Sequence, residues 1–298
     1  MITYNNGNYR VILKEDGTKI HLLPDNEDEY KPNRIETLDI CISTYCKNGC
    51  EFCYENCSAD GTMADLDSKE VINVINSIPY GTEIAINLNS FTWKYIPMLE
   101  RFLMLCKVKH LIVNVTIRQN DFMLTAYQHL ISNWKSKGFI YGIGVSLIKA
   151  DDNFIREIKK EKWNNNIVIH TINGITKWED YEKLVGCKVL ILGYKNIGRG
   201  EKYLPNIPES KTLHNNIGKL SEITDVLSFD NLAIEQLQIK DMVSEEVWEH
   251  SYMGDEGTIS MFIDLVNLTY AKSSLTPKEN RMPMIKTIQE MYNDIRKD

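Results

Sequence analysis

Five of the seven cysteines, Cys41, Cys46, Cys50, Cys53 and Cys57, fall within 17 residues. Cys106 and Cys187 stand alone in apolar surroundings and read as small buried hydrophobes. An odd count with no export signal argues against a disulfide framework. Thiolates are soft ligands suited to zinc or to iron–sulfur clusters. The run Cys46-Lys-Asn-Gly-Cys50-Glu-Phe-Cys53 lets three sulfurs converge on one side of a loop, and Gly49 allows that loop to turn tightly. A structural zinc site built from Cys46, Cys50, Cys53 and Cys57 is the competing reading, although zinc sites more often use two separated pairs. Cys41 lies within an apolar run and reads as a core residue.

The spacing Cys46-x3-Cys50-x2-Cys53, with aromatic Phe52 before the last cysteine, resembles the signature of the radical S-adenosylmethionine (SAM) superfamily, closest in character to phage-type and bacterial members. The resemblance implies that Cys46, Cys50 and Cys53 bind three irons of a [4Fe-4S] cluster, and that the fourth iron chelates the amino and carboxylate groups of SAM. It implies reductive cleavage of SAM to methionine and a 5′-deoxyadenosyl radical, which takes a hydrogen atom from a substrate that the sequence does not identify. Oxygen sensitivity and a one-electron reductant of flavodoxin or ferredoxin type are implied too. The motif follows the apolar segment Leu38–Ser43 and precedes a helical pattern near 65–78, the position the family gives its cluster loop. No second cysteine cluster follows Cys187, so auxiliary clusters are not expected.

In βα barrels functional residues sit at the carboxyl ends of strands. After the second strand the family carries a Gly-Gly-Glu-like motif that grips the SAM amine. Here the chain reads Asn87-Leu-Asn89-Ser90, and Asn89 takes the acidic position, with Ser90 as the other alignment. An amide carbonyl still accepts from an ammonium, without the charge that strengthens such a bond. Ser146 resembles the family's ribose contact, and Phe52 is placed for the adenine. Substrate candidates at other strand ends are Gln119, His170, Lys195 and Arg199 in the Gly-rich stretch 193–200, and Asp230. For each a structural role competes: a satisfied histidine, a Gly-rich turn with solvated bases, an Asx turn at Asp230.

These residues need a scaffold. Strand-like segments at 36–43, 82–88, 109–117, 140–148, 165–172, 188–193 and 225–229 alternate with helical patterns near 65–78, 94–107, 120–137, 151–162, 176–185 and 208–223. Such alternation implies βαβ units and parallel pairing. About six repeats suit the partial (β/α)6 TIM-like barrel of the resembled family, and a doubly wound sheet fits the pattern alone. Residues 1–33 form an N-terminal unit with a β-hairpin over 8–24, turned at Asp16-Gly17. Residues 34–235 form the barrel. Residues 236–298 form an α+β extension packed on it, with strands at 258–264 and 268–271 and a helix near 283–296.

Composition bounds the rest. The chain has 298 residues, is 43% hydrophobic and 25% charged, and suits a soluble globular protein. With 41 acidic against 34 basic residues the net charge is −7, which gives no broad electrostatic reason to hold nucleic acid. No run of 18 apolar residues provides a membrane span, and the first residues lack the pattern of a secretory signal, so the expected location is the cytoplasm.

Overall fold

The computed structural model describes residues 1–15, 17–89, 93–163 and 165–297. Asp16, of the expected hairpin turn, and Ser90, the alternative to Asn89, lie outside the described residues.

The N-terminal unit is a three-stranded antiparallel meander, β1 (Ile2–Asn6), β2 (Tyr9–Leu13) and β3 (Lys19–Leu22). The hairpin expected over 8–24 is present as β2 and β3, with Leu13 opposite Lys19. The sequence reading missed β1, whose run Ile2-Thr-Tyr-Asn-Asn6 is too polar to stand out as a strand. It is paired residue for residue with β2.

Seven strands follow: β4 (Thr37–Cys41), β5 (Glu83–Leu88), β6 (Ile112–Arg118), β7 (Ile143–Ser146), β8 (Ile167–Ile172), β9 (Lys188–Leu192) and β10 (Val226–Phe229). Each lies within one of the seven predicted segments, β6 running one residue past its own to Arg118, and each pairs in parallel with the next. On the far side of β4 come β11 (Ser260–Asp264), β12 (Thr269–Ala271) and β13 (Met282–Pro283). The ten-strand sheet runs in the order β10-β9-β8-β7-β6-β5-β4-β11-β12-β13, with β10 and β13 at its edges, so it is open. The fold is α/β with a large parallel sheet. The C-terminal segment enters this sheet directly, because β11 pairs in parallel with β4. Its Met261, Phe262 and Ile263 are all buried, as a strand flanked on both sides requires.

One sheet face is apolar. Leu38, Ile40, Ile84, Ile86, Val113, Val115, Val145, Ile169, Val189 and Ile191 are buried against the helices in a single core. Helix Ile96–Val108 contributes Leu99, Phe102, Leu103 and Cys106, and helix Thr125–Ser136 contributes Tyr127, Ile131 and Trp134. Burial of each large side chain stabilises the fold by about 1.5–3 kcal/mol. The helix expected over 120–137 is broken at Met123–Leu124, where Leu124 is extended (ψ 126°). The helix expected over 176–185 is a single turn, Trp178–Tyr181.

The other face is polar. Asp39, Asn87, Thr116, Arg118, Ser146 and His170 all project from it, none of them fully buried. Arg118, Ser146 and His170 are neighbours across β6, β7 and β8.

Among the described residues no helix is long and apolar enough to cross a membrane.

Candidate active site at the carboxyl ends of the strands

The loop that leaves β4 carries the cysteine triad. It is shaped by backbone pairing across its own base: Thr44 N–H donates to Thr62 (2.8 Å), Ala64 N–H to Ile42 (2.9 Å) and Cys46 N–H to Ser58 (2.8 Å). Gly49 sits at φ +60°, a left-handed conformation in which a side chain is strained, and this is the turn the spacing required. Cys46, Cys50 and Cys53 are each half-buried and unpaired by disulfides.

A second loop braces the first from behind. Arg199, after β9, donates from Nε to the Cys50 carbonyl (2.9 Å) and from Nη2 to the Cys57 carbonyl (3.0 Å). Its backbone N–H donates to the Cys53 carbonyl at 3.1 Å. Gly198, at φ +60°, makes this approach possible, because a Cβ there would lie 2.3 Å from the Tyr54 carbonyl oxygen. The Arg199 guanidinium, a substrate candidate in the sequence, is thus committed to loop carbonyls. On the other flank, Arg118 at the end of β6 donates to Cys50 Sγ, and Asn48 donates to Asp121 (3.2 Å).

The thiols are electrostatically unequal. Hydrogen bonding from Cys57 lowers the Cys53 thiol to about 6 against the opposing effect of burial, helped by backbone N–H groups and by Arg199. Cys57 is the proton-holding partner: sharing its hydrogen with Cys53, and burial, push its own thiol far up. Burial raises Cys50, and the Arg118 charge opposes the rise. Cys41 is half-buried on the polar face of β4. Burial, with Glu55 and Asp264 nearby, pushes it up to about 12.

Asn89 lies beside this loop. Its Nδ2 donates to the Ser43 carbonyl (3.0 Å) and contacts Cys57 Sγ (3.6 Å). Among the described residues none donates to its Oδ1, the acceptor that an ammonium would need. Phe52 packs edge-on against Tyr203, with centroids 5.7 Å apart. Ser146 stands between Arg118 and His170. The His170 ring crowds Gly144, where a Cβ would lie 2.5 Å from Cε1, and burial lowers its pKa to about 4.

Three other candidates have work within the fold. Gln119 is buried, and its Oε1 accepts from the N–H groups of Ile148 (2.6 Å) and Lys149 (2.9 Å), which fixes the loop after β7. Asp230 caps helix Asn231–Gln236, with Oδ1 accepting from Ala233 N–H (2.7 Å) and Gly193 N–H (2.8 Å). Lys195 donates to Ser274 Oγ (2.7 Å) and lies over the Tyr54 ring at 4.1 Å.

The sequence reading passed over Asp39, Tyr54 and Glu55, and Arg118, at the same strand end as Gln119, is given no role by it. Asp39 carried a signal, an acid inside an otherwise apolar strand. Glu55 carried none, since an acid in a loop is ordinary until its burial is known.

Among the described residues no three His, Cys, Asp or Glu side chains converge on a point where one metal ion could sit. A single zinc needs its thiolates around one ion. A cubane takes one thiolate per iron, so three sulfurs spaced along one loop suit it. The lowered Cys53 thiol and the neighbouring Arg118 and Arg199 charges favour the thiolate form that such ligation needs.

No family model and no curated protein matches the chain. Among solved structures the fold is similar to Streptococcus suis SuiB. The crystal structure of SuiB bound to S-adenosylmethionine aligns with a TM-score of 0.59 at 13% identity, over 89% of this chain and 68% of SuiB. The structure of SuiB bound to the precursor peptide SuiA aligns with the same TM-score and identity, over 88% of this chain and 65% of that one. This chain therefore spans about two thirds of SuiB's length and shares its fold.

Proposed function

We propose that this chain is a radical SAM enzyme. The observation that carries the reading is the cysteine loop: Cys46, Cys50 and Cys53 lie half-buried at the carboxyl end of β4, in a fold similar to that of a protein crystallised with S-adenosylmethionine. The open parallel sheet is read as a partial (β/α)6 barrel, with the meander and the C-terminal segment as additions to it.

In this reading Cys46, Cys50 and Cys53 hold a [4Fe-4S] cluster and Cys57 does not. Bound there, the cluster would supply the electron that cleaves SAM to methionine and a 5′-deoxyadenosyl radical. The chain's own residues bind and orient. Arg199 fixes the loop carbonyls, and Arg118 offsets thiolate charge at Cys50. Asn89 offers Oδ1 to the SAM ammonium, Ser146 its hydroxyl to the ribose, and Phe52 its ring to the adenine. His170, neutral at ordinary pH, lines the inner face as a hydrogen-bonding group. The inner face must exclude water and hold substrate near SAM, since misplacement of reacting atoms is costly. A one-electron donor of flavodoxin or ferredoxin type and a cytoplasmic location complete the proposal. SuiB's complex with a precursor peptide makes a peptide the first substrate class to test.

The test is anaerobic reconstitution with iron and sulfide, followed by chromatography for 5′-deoxyadenosine after reduction with dithionite in the presence of SAM. Brown protein with about four irons per chain, and 5′-deoxyadenosine that disappears in Cys50→Ala, is the expected result. Colourless protein that binds one zinc through four thiolates, and loses it in Cys57→Ala, would replace the reading with a structural metal module.

A further inference from the structure

We propose that Arg118 acts through Cys50 to set the reduction potential of the cluster that the cysteine loop would hold, raising it toward the reach of the one-electron donor. The inference rests on the proposed function for the cluster and deepens it by naming the residue that tunes it.

Arg118 is the last residue of β6 and stands half-buried on the inner face of the sheet. From there its Nη1 donates to Cys50 Sγ, the middle sulfur of the triad. The two residues are 68 apart in the chain, so the end of a sheet strand, and not the cysteine loop itself, decides where this charge stands. Among the described residues Arg118 makes no ion pair with a carboxylate, and no other cationic side chain donates to the sulfur of Cys46, Cys50 or Cys53. Its neighbour in register on β7 is Ser146, which carries no charge.

Arg199 approaches the same cysteine differently. Its Nε meets the Cys50 carbonyl at 2.9 Å and its Nη2 the Cys57 carbonyl at 3.0 Å, while its backbone N–H meets the Cys53 carbonyl at 3.1 Å. All three bonds end on backbone and hold the shape of the loop. Arg118 bonds no backbone atom of that loop among the described residues. Its one contact there is with the atom that would ligate iron, which is the position for a group that acts on the electronics of a ligand.

The direction of the effect follows from charge. A guanidinium is not deprotonated in proteins, so this cation is permanent. Reduction adds one negative charge to an iron–sulfur cluster, and its potential depends on net charge, on solvent exposure and on hydrogen bonds to the sulfurs. A fixed cation that donates to a ligand sulfur therefore stabilises the reduced form more than the oxidised form. Half-burial weakens the screening that water would supply. A weaker reductant then suffices to deliver the electron.

The test reconstitutes the full chain, Arg118→Met and Arg118→Lys with iron and sulfide under anaerobic conditions. Each is titrated electrochemically without SAM, with electron paramagnetic resonance reading the reduced cluster and iron analysis reading its content. Arg118→Met should keep the iron content and lower the equilibrium constant for one-electron reduction at least tenfold, a fall of about 59 mV. Arg118→Lys, which keeps the charge, should recover more than half of that fall. A residue that merely held the loop would change iron content and leave the potential of the loaded fraction where it was. If Arg118→Met takes up no iron, Arg118→Gln, which removes the charge and keeps an N–H donor, is read in its place and should show a fall of at least threefold. An unchanged or raised potential, a fall in Arg118→Lys as large as in Arg118→Met, or failure of every variant to take up iron while the unaltered chain does so overturns the inference. A loaded cluster whose potential ignores Arg118 sinks this inference and leaves the proposed function standing. An unaltered chain that takes up no cluster sinks the proposed function, and this inference with it.

Discussion

Two buried glutamates mark the two ends of the parallel sheet, and they are treated in opposite ways. Glu36, just before β4, is 0% exposed and fully partnered. Its carboxylate accepts from Asn6 Nδ2 (2.9 Å), Tyr9 OH (2.5 Å) and His21 Nε2 (2.9 Å), with Lys19 Nζ at 3.7 Å. Burial by itself would raise its pKa; the His21 bond, the Lys19 charge and the Tyr9 bond outweigh burial and bring it down to about 2. Three of its partners lie on the meander strands β2 and β3 and one ends β1, so this carboxylate fastens the N-terminal unit to the amino end of the sheet. Glu55, in the cysteine loop at the carboxyl end, has no hydrogen-bond partner at either oxygen among the described residues, and burial raises it. A satisfied charge is what a permanent interface needs. An unsatisfied one in a loop is a cost that a stable fold alone would have removed. The contrast separates the end that holds the molecule together from the end that is built to receive something.

The comparison is broken most directly at the cysteines. Cys46→Ala, Cys50→Ala or Cys53→Ala should abolish the iron chromophore or leave it labile. Cys57→Ala should keep it, because in the proposed function the three ligands are Cys46, Cys50 and Cys53. Iron analysis and visible spectroscopy of the four variants decide this. The far-ultraviolet circular dichroism of all four should be unchanged, since the core forms without metal, and wholesale unfolding on chelation would contradict that.

The next effect is on stability. Glu36→Ala leaves Tyr9 and His21 without their acceptor, while Asn6 keeps the Arg34 carbonyl and Lys19 keeps Glu83, and should cost about 3 kcal/mol. Glu55→Gln removes an unpaired buried charge and should change stability by less than about 1 kcal/mol, in either direction. Urea melts of the pair test the contrast, and equal losses would erase it.

The pH dependence follows with its sign. Glu36 has a folded pKa below its unfolded value, so its contribution is complete above the ordinary glutamate range near 4.5 and is lost as the pH falls toward about 2. His170 is also lowered, from 6.5 to about 4, by burial. The unfolded chain binds that proton more readily, so stability falls between about pH 6.5 and 4, before Glu36 is affected. His170→Gln should remove the earlier decline and leave the later one, read by thermal melts across pH 3–8.

The smallest effect is on SAM. Asn89→Ala should weaken its binding by about 0.5–1.5 kcal/mol, one hydrogen bond, in calorimetric titration of cluster-loaded protein. Omitting the cluster should weaken it more, by at least tenfold or about 1.4 kcal/mol.

Much of this was legible in the residues. All seven parallel strands β4–β10 fall in predicted segments to within a residue, because each is a mainly apolar run followed by a helical pattern. The cysteine loop was legible because spacing alone restricts what three thiols can do. Two things were not. The partner of β4 across the sheet comes from Ser260–Asp264, and no local pattern says that a distant strand will be inserted beside it. The roles of Arg199 and Gln119 were also hidden, as was the distant Gly193 N–H that Asp230 takes up beyond its local turn. A sequence shows charged and amide groups, but not which backbone carbonyls and N–H groups the fold leaves in need of them.

The pairing of β4 with β11 also orders events in time. The strand that carries the triad has a neighbour more than 200 residues later, so β4 stays a bare edge while the intervening chain is made. The Arg199 brace arrives 149 residues after Cys50. The thiols thus emerge early from the ribosome and gain their final arrangement late. In the proposed function, iron loading would then follow synthesis of the segment that carries β11, and until that point the cysteine loop lacks its final arrangement.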